Sequence, residues 1–165
     1  MNWEELKFSE FVDFPPKMSL TKGEEYDFIP MSNVDGNIKY VQETEKKVYT
    51  SGGTKFGNND TLLARITPCL ENGKLSMVKN LDKGVAFGST EYFVFRAKKD
   101  KADPHFVYYL TRSDLIRETA IKSMSGSDGR QRASKDVVSD IVVDLPPLQT
   151  QKRIADILSA YDDLI

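Results

Sequence analysis

Short runs in which hydrophobic and polar residues alternate occupy the first two thirds of the chain. Such alternation predicts β-strands, because successive side chains of a strand point to opposite faces of a sheet. A stretch rich in Gly, Asn and Asp at residues 52–60 is instead predicted to be a loop. The strands predicted in this way lie at residues 26–31, 37–41, 61–67, 74–78 and 85–97.

Two turn signals are expected to join neighbouring strands as hairpins. Residues 33–36 (Asn-Val-Asp-Gly) lie between the first two predicted strands, and Asn72-Gly73 precedes the strand at 74–78. Pairs such as Asp-Gly and Asn-Gly favour these turns because they tolerate positive φ angles. Gly88, inside the longest predicted strand, is expected to form a β-bulge.

The hydrophobic residues change to helical spacing after Asp103-Pro104. Asp is a favourable N-cap and Pro a favourable first residue of a helix, so one continuous helix is predicted to begin here and to end near residues 122–124. A Gly- and Ser-rich loop is predicted at 125–132 and a last strand at 140–145.

The final residues have the pattern of a separate helix. Ile154, Leu158, Tyr161 and Ile165 follow one another at intervals of four, three and four, which is the spacing of a heptad seam. Such a seam requires a facing helix, so it is interpreted as a partner-binding surface. No capping glycine or lysine follows, and this helix is expected to be cut short by the end of the sequence.

The composition is that of a folded protein with one domain. The chain has 165 residues, of which 39% are hydrophobic and 29% charged, and this length is sufficient for a substantial core. One cysteine and one histidine exclude an intrachain disulfide and argue against a metal site built by this chain alone. The N-terminus lacks the pattern of a signal peptide, and no run is long enough to span a membrane. A cytoplasmic protein without a membrane partner is expected.

The net charge of −2 argues against indiscriminate binding to polyanions, but the charge is distributed unevenly. Residues 1–30 and 136–165 each carry a net charge of −4, whereas residues 31–135 carry +6. A basic middle segment could direct a polyanion to one face of the protein, although an ordinary solvated surface explains the same pattern.

Basic and amide side chains are the candidate DNA contacts. Arginine and glutamine can hydrogen-bond to guanine and adenine edges, whereas lysine mainly contacts phosphates. Arg130 and Arg132 could also form salt bridges with Asp128 and Asp136 instead. The candidates are Arg130, Gln131, Arg132, Lys55, Arg65, Lys74, Lys46 and Lys47.

The sequence contains no recognisable catalytic constellation. Only Cys69 and His105 could form a thiol–imidazole pair, and His105 lies in the first turn of a predicted helix among hydrophobic residues. Residues 70–75 contain Gly-Lys but lack the other positions of a phosphate-binding loop. The chain is therefore predicted to be catalytically silent, and Cys69 is interpreted as a buried residue that fills a small apolar gap.

Four segments resemble the specificity subunit of type I restriction–modification enzymes. They are, in the order of that family, LLARITPCLENGK (62–74), FGSTEYFVFR (87–96), GRQR (129–132) and LPPLQTQKRIADILSAYDDLI (145–165). The resemblance implies an α/β (α+β), strand-rich target recognition domain at residues 1–148, followed by the start of a helical spacer at 149–165. It also implies that the domain recognises one part of a split DNA site.

The same resemblance implies partners and cofactors. The spacer would dock methylation subunits, and a restriction subunit and a second recognition domain, in cis or in trans, would complete the complex. S-adenosylmethionine and ATP would be used by partner subunits, while this chain would need no cofactor or metal of its own. Because a full specificity subunit has two recognition domains, a single domain implies either a fragment or a half-length subunit.

Three hypotheses from different classes follow. The leading one is a non-catalytic module that binds double-stranded DNA sequence-specifically. The second is a protein-interaction module that docks methylation subunits without recognising DNA by itself. The third is a thiol enzyme based on Cys69. A segment like 62–74 recurs among family members that recognise different DNA sites, so it is interpreted as scaffold, and this weakens the third hypothesis.

Overall fold

The computed structural model of the protein describes residues 2–164. Most of its strands precede residue 98 and most of its helices follow residue 103, which confirms the α+β fold class expected from the sequence. The strands are β1 (Glu4–Lys7), β2 (Val12–Asp13), β3 (Glu25–Ile29), β4 (Glu45–Val48), β5 (Thr54–Gly57), β6 (Thr61–Ala64), β7 (Leu75–Met77), β8 (Val85–Gly88), β9 (Tyr92–Ala97) and β10 (Val142–Leu145). The helices are α1 (Phe8–Phe11), α2 (Pro104–Arg112), α3 (Asp114–Lys122), α4 (Lys135–Ser139) and α5 (Leu148–Asp162).

The strands form two four-stranded sheets and a two-stranded ribbon. Sheet I has the order β2-β9-β6-β7, sheet II has the order β4-β3-β8-β5, and the ribbon pairs β1 with β10. Neighbouring strands are antiparallel except β3 and β8, which are parallel. Because β10 directly precedes α5, the ribbon ties the start of the described chain to the start of the last helix.

Sheet I lies between sheet II and the helices. Leu62 pairs with Val94 and Leu63 with Phe93, and the two pairs point to opposite faces because they are adjacent in their strands. Leu62 and Val94 share a buried cluster with residues of sheet II, including Ile29, Phe56 and Ala86. Leu63 and Phe93 share the main core with helical residues, including Phe106, Tyr108, Ile116 and Val138.

The strand predicted at 37–41, and the hairpin that would join it to β3, are wrong. Both edges of β3 are occupied by β4 and β8, and the segment runs instead to sheet I, where Tyr40 forms a single bridge with Met77. This path brings Gly36 so close to Gly73 that a Cβ atom on Gly36 would lie 2.0 Å from the Gly73 carbonyl oxygen. Glycine is required there for close backbone approach. The turn at Gly73, with φ of 77°, does precede β7 as predicted.

Two other predicted elements are also corrected. The loop predicted at 52–60 contains β5, in which Phe56 is fully buried between the sheets. The single strand predicted at 85–97 is two strands, β8 in sheet II and β9 in sheet I. Gly88 ends β8 instead of forming a bulge, and a Cβ atom there would lie 2.3 Å from the carbonyl oxygen of Ile29. Both strands are largely buried, so their hydrophobic residues conceal the break between them.

The helix predicted from Asp103 begins as expected but is not continuous. The Asp103 carboxylate accepts a hydrogen bond from the backbone N–H of Phe106 at 3.0 Å and caps α2. The helix stops before Ser113, which has an extended backbone (φ −67°, ψ 156°), and α3 starts directly after it. Helical spacing continues across the break because α2 and α3 pack on the same core.

The predicted last strand and last helix are both present, as β10 and α5. Pro146-Pro147 separates them, since proline cannot donate a backbone hydrogen bond to a sheet. In residues 2–164 no helix has both the length and the apolar character needed to cross a lipid bilayer.

Candidate nucleic-acid interface

The face of sheet II that points away from sheet I is lined by aromatic residues. Lys47 lies opposite Tyr26 in the strand register, and Lys55 lies opposite Phe87, so these four side chains share one face. Phe28 and Tyr49 pack edge-to-face against Phe87 on the same side. Two of the lysines chosen from the sequence are therefore brought to one surface by two strands that are not neighbours.

The ammonium groups of Lys47, Lys55 and Lys83 lie over the aromatic rings of this surface. We call the surface, with these three lysines, the lysine face. Their apolar stems can cover the aromatic rings while the charged ends remain in solvent. Lys83 was missed in the sequence because only the folded sheet brings the segment before β8 beside β3. The distances from Nζ to the ring centroid are 4.5 Å for Lys47 over Phe28, 5.6 Å for Lys55 over Tyr49 and 4.8 Å for Lys83 over Tyr26.

Lys46 lies on the opposite face of β4, where its exposed side chain is paired with two carboxylates of the protein itself. Its ammonium group donates hydrogen bonds to the carboxylate of Asp27 at 2.7 Å and to that of Asp82. Asp27 is 4% exposed, and burial raises its pKa, but hydrogen bonds from Lys46, the Asp82 backbone N–H and the Thr44 hydroxyl hold the pKa below its usual value. The structure thus separates Lys46 from the lysine face.

A second basic region lies at one end of sheet I. Arg65 follows β6, Lys74 precedes β7 and Glu91 precedes β9. Antiparallel pairing places these three residues at the same end of their strands. The backbone N–H of Arg65 donates to the Glu91 carbonyl at 2.9 Å, and that of Ala64 donates to the Lys74 carbonyl at 3.0 Å. Together with residues 130–132 we call this region the basic end.

The loop predicted at 125–132 forms a short hairpin that contributes residues 130–132 to the basic end. At its base, Ser125 and Arg132 exchange backbone hydrogen bonds of 3.1 and 3.0 Å. The carbonyl of Gln131 accepts a hydrogen bond of 2.9 Å from the backbone of Thr67, so the hairpin is tied to the segment that follows β6. Arg130 is exposed near the hairpin tip. Three of the predicted contacts are thereby brought beside sheet I.

Two basic side chains of this region make contacts within the protein. The Lys74 ammonium group donates a hydrogen bond to the carbonyl oxygen of Met31 at 3.0 Å. The Arg65 guanidinium lies 4.9 Å from the ring centroid of Phe93. The buried Nε of Arg65 has no hydrogen-bond partner among residues 2–164. Both side chains are half-buried, so they offer only part of their charge to a ligand.

Arg132 forms a bidentate ion pair with Glu91, and not with Asp128 or Asp136. Its Nε donates to the two carboxylate oxygens at 3.1 and 2.9 Å, and its Nη2 donates to Oε1 at 2.7 Å. The hydrogen bond from Arg132 lowers the pKa of Glu91, partial burial opposes this, and the charges of Arg132 and Arg65 lower the pKa further. Glu91 is therefore ionised at neutral pH.

The thiol of Cys69 is not part of a catalytic pair. Cys69 lies half-buried in the turn between β6 and β7, and the prediction that it fills a gap in the core is wrong, because the next residue, Leu70, occupies the core instead. No hydrogen bond within residues 2–164 joins Cys69 to His105. Burial, and then the charge of Lys39, lower the pKa of His105 at the start of α2. The described residues also contain no cluster of three or more side chains suited to a metal ion.

The first half of α5 packs on the body of the protein. Gln151 and Ala155 are buried, and Ile154 packs against the main core. Further along the same face the contacts become polar: the Lys39 ammonium donates to the Ser159 hydroxyl at 3.0 Å. Residues 149–155 are therefore an integral part of the packed domain.

The seam predicted on α5 lies partly against the protein core and partly in solvent. Ile154 faces the protein's own core, whereas Leu158 and Tyr161 are 38% and 64% exposed. Ile165, the last predicted member, lies outside the described residues. Three apolar residues of the helix, and one in the turn directly after it, face solvent, and we call them the exposed stripe: Ile157, Leu158, Tyr161 and Leu164.

The sequence matches one family model and is similar to several known proteins. Residues 1–165 match the family model described as Type I restriction modification DNA specificity domain. The chain is similar to the type I restriction enzyme EcoAI specificity subunit of Escherichia coli, with 30% identity over 156 residues that cover 92% of this chain and 26% of that protein. It is also similar to the MjaVIII specificity subunit of Methanocaldococcus jannaschii, with 27% identity over 172 residues covering 99% of this chain and 37% of that protein.

Solved structures show the same fold. The HsdS subunit from Thermoanaerobacter tengcongensis superposes with a TM-score of 0.75 at 20% identity, over 97% of this chain and 42% of that one. The S subunit of a type I restriction-modification system from M. genitalium superposes with a TM-score of 0.58 at 16% identity, over 98% and 39%. The chain spans about a quarter of the length of the Escherichia coli relatives that it matches. The match along the whole sequence shows that this chain belongs to the family of type I restriction modification DNA specificity domains.

Proposed function

We propose that this chain is a non-catalytic module that binds double-stranded DNA sequence-specifically and recognises one part of a bipartite target for a type I restriction–modification complex. The observation that carries the proposal is the basic end, where separate segments bring Arg65, Lys74 and residues 130–132 to one end of the strands of sheet I. Clustered cations attract phosphates, and guanidinium and amide groups can pair with base edges. Membership of a DNA specificity family supports the same function.

The two basic regions suit different kinds of contact. Lysine ammonium groups are compact charges on flexible stems, and those of the lysine face suit the sequence-independent binding of phosphates. The basic end carries planar guanidinium groups and the Gln131 amide, which suit base recognition. Lys46, held between two carboxylates, contributes to the stability of sheet II and not to this interface.

The chemistry of such a complex would belong to other subunits. Methylation with S-adenosylmethionine and ATP-dependent restriction would be carried out by the methylation and restriction subunits. The Cys69 thiol and the His105 imidazole take no part in either reaction. A complex that acts on cellular DNA would operate in the cytoplasm.

A second role, in assembly, is favoured by the exposed stripe on α5. Apolar side chains at helical spacing bury their surface when a facing helix is present. The partners would be the methylation subunit and a second recognition domain, in cis or in trans. Because the apolar packing of the helix on the body reaches only as far as Ala155, and the contacts beyond it are the polar ones of Ser159 and Asp162, we place the start of the partner-binding part of the spacer after Ala155 and not at residue 149.

Selection of duplexes from a randomised library by the whole chain tests the proposed function. We expect enrichment of one short sequence, and binding that weakens steeply with salt. The matched control is Leu158→Asp/Tyr161→Asp, which changes only the exposed stripe and should enrich the same sequence. Absence of any enrichment, together with a flat salt response, would favour the protein-interaction module instead.

A further inference from the structure

Arg132 and Glu91 form an ion pair that uses only one edge of the guanidinium group. The three hydrogen bonds to Glu91 come from Nε and Nη2. The remaining donor, Nη1, makes no hydrogen bond to any of residues 2–164. Guanidinium is planar with five N–H donors, so the Nη1–Nη2 edge still presents two donors side by side, directed away from the carboxylate. The Arg132 side chain is 44% exposed, so part of the guanidinium group that Glu91 does not use is accessible to solvent.

Both members of the pair are held by the backbone. The N–H and C=O of Arg132 are bonded to Ser125 at 3.0 and 3.1 Å, and Arg132 also forms an antiparallel bridge with Ile66. The Glu91 carbonyl accepts from the Arg65 N–H at 2.9 Å, and the Glu91 N–H donates to the Ser89 hydroxyl at 3.1 Å. A side chain positioned in this way loses little conformational freedom when it binds.

We propose that Arg132, oriented by Glu91, recognises a guanine through its Nη1–Nη2 edge in the major groove; this inference rests on the proposed DNA-binding function. Guanine presents two adjacent acceptors there, N7 and O6, which match the two parallel donors of the free edge. Adenine replaces one of these acceptors with a donor, which a guanidinium group cannot accept. The ion pair therefore selects guanine.

The charge of Glu91 argues against the alternative that Arg132 holds a phosphate. The carboxylate neutralises the guanidinium and would repel a second anion placed beside it, whereas it leaves an uncharged base edge unaffected. Arg130 has no such acidic neighbour in an ion pair among residues 2–164, and it suits a phosphate contact near the hairpin tip. Glu91 is thus a positioning residue that acts through Arg132.

Duplex selection with the whole chain and three variants tests this assignment. Arg132→Lys keeps the charge but removes the planar pair of donors, and Glu91→Gln keeps the shape but removes the carboxylate. Arg153→Lys, at an exposed arginine of α5 outside both basic regions, is the matched control. We expect the parent to prefer guanine at one position. The preference should fall about tenfold or more in Arg132→Lys, fall less in Glu91→Gln, and persist in Arg153→Lys. Affinity of Glu91→Gln for unrelated duplexes should be unchanged or higher, since a negative charge is lost.

The outcomes separate this inference from the function on which it rests. A parent that enriches a sequence, with the same preferred bases in all three variants, overturns the guanine assignment alone. Loss of affinity for every duplex alike in Arg132→Lys, with unchanged base preferences, identifies a phosphate contact and also overturns it. A parent that enriches no sequence overturns the proposed function itself. Thermal melting of each variant checks that a lost preference does not come from unfolding.

Discussion

The side-chain oxygen of Gln151 accepts a hydrogen bond from the backbone N–H of Asp103 at 2.9 Å and so joins α5 to the start of α2. Gln151 Nε2 donates to the carbonyl oxygens of Lys101 and Pro146 at 3.0 and 2.9 Å. The side chain is fully buried, and its hydrogen bonds satisfy three backbone groups of two other segments, the loop before α2 and Pro146. One residue thus fixes the start of the last helix to the recognition domain.

Replacement of Gln151 by alanine should therefore destabilise the whole domain. The change leaves buried backbone groups without partners and opens a cavity, so we expect a loss of about 2–3 kcal/mol in the free energy of unfolding. Urea denaturation measures this loss. Gln149→Ala, an exposed neighbour on the same helix, is the control and should stay within about 0.5 kcal/mol of the parent. Equal midpoints for the two variants would contradict the role assigned to Gln151.

The two sides of α5 should respond differently to a charged residue. Leu158→Asp/Tyr161→Asp places charges on the exposed stripe, so the domain should remain folded while docking of a methylation subunit is lost. Ile154→Asp places a charge against the main core and should lower the melting temperature. Circular dichroism of the chain, and co-purification of the methylation subunit with a full-length specificity subunit, measure the two effects. Normal assembly of the double variant would show that another surface docks the partner.

Cys69→Ala should have almost no effect. The thiol is half-buried in a turn, so its removal is expected to cost less than about 1 kcal/mol of stability and to leave DNA binding near that of the parent. Melting curves and binding titrations check the two quantities. A variant that melts normally but no longer binds DNA would show that the thiol has a functional role.

The salt dependence of DNA binding should distinguish ligand contacts from internal ion pairs. We expect the logarithm of the affinity to fall with the logarithm of the salt concentration with a slope of about −3 to −5, as for a small module. Lys55→Ala should weaken binding to all duplexes and reduce the slope by about one. Lys46→Ala should leave the slope unchanged and reduce stability, because Lys46 is bonded to Asp27 and Asp82. A reduced slope for Lys46→Ala would show that this pair opens to admit DNA.

The stability of the domain should depend on the protonation of His105. Burial, and then the charge of Lys39, lower its pKa below 6.5, although Asp103 and Asp156 oppose the shift. Because the folded state favours the neutral imidazole, this contribution is complete above about pH 6.5 and is lost as the pH falls toward the folded-state pKa. The free energy of unfolding should therefore decline more between about pH 7 and pH 5 in the parent than in His105→Gln. Parallel pH profiles for the two proteins would contradict the shift.

Elements governed by local rules were predictable from the sequence. The start of α2 depends on the Asp103 cap, and the end of β10 depends on Pro146-Pro147. The start of α5 directly after Pro146-Pro147 was likewise predictable. These features need only neighbouring residues to form, so propensity, capping and proline chemistry are sufficient to place them.

Elements that depend on distant pairing were not predictable. Residues 85–97 look like one strand because β8 and β9 are both largely buried and only residues 89–91 lie between them, and the assignment of each strand to its own sheet is made by the fold. Residues 37–41 alternate like a strand, but β3 already has two neighbours and cannot accept a third. The choice among possible partners is made by the whole fold, since strand propensity carries no information about it.

In the candidate interface, too, the sequence supplies the types of side chain and the fold decides their positions. The sequence by itself determined the family, through its motifs, and the kinds of side chain available for DNA, including the Arg-Gln-Arg run at 130–132. Only the tertiary structure decided that Lys46 is held by Asp27, that Lys83 joins the lysine face, and that Arg132 is oriented by Glu91. Each of these contacts joins segments far apart in the chain, and a charged side chain finds its partner only after the sheets have fixed the distance between them.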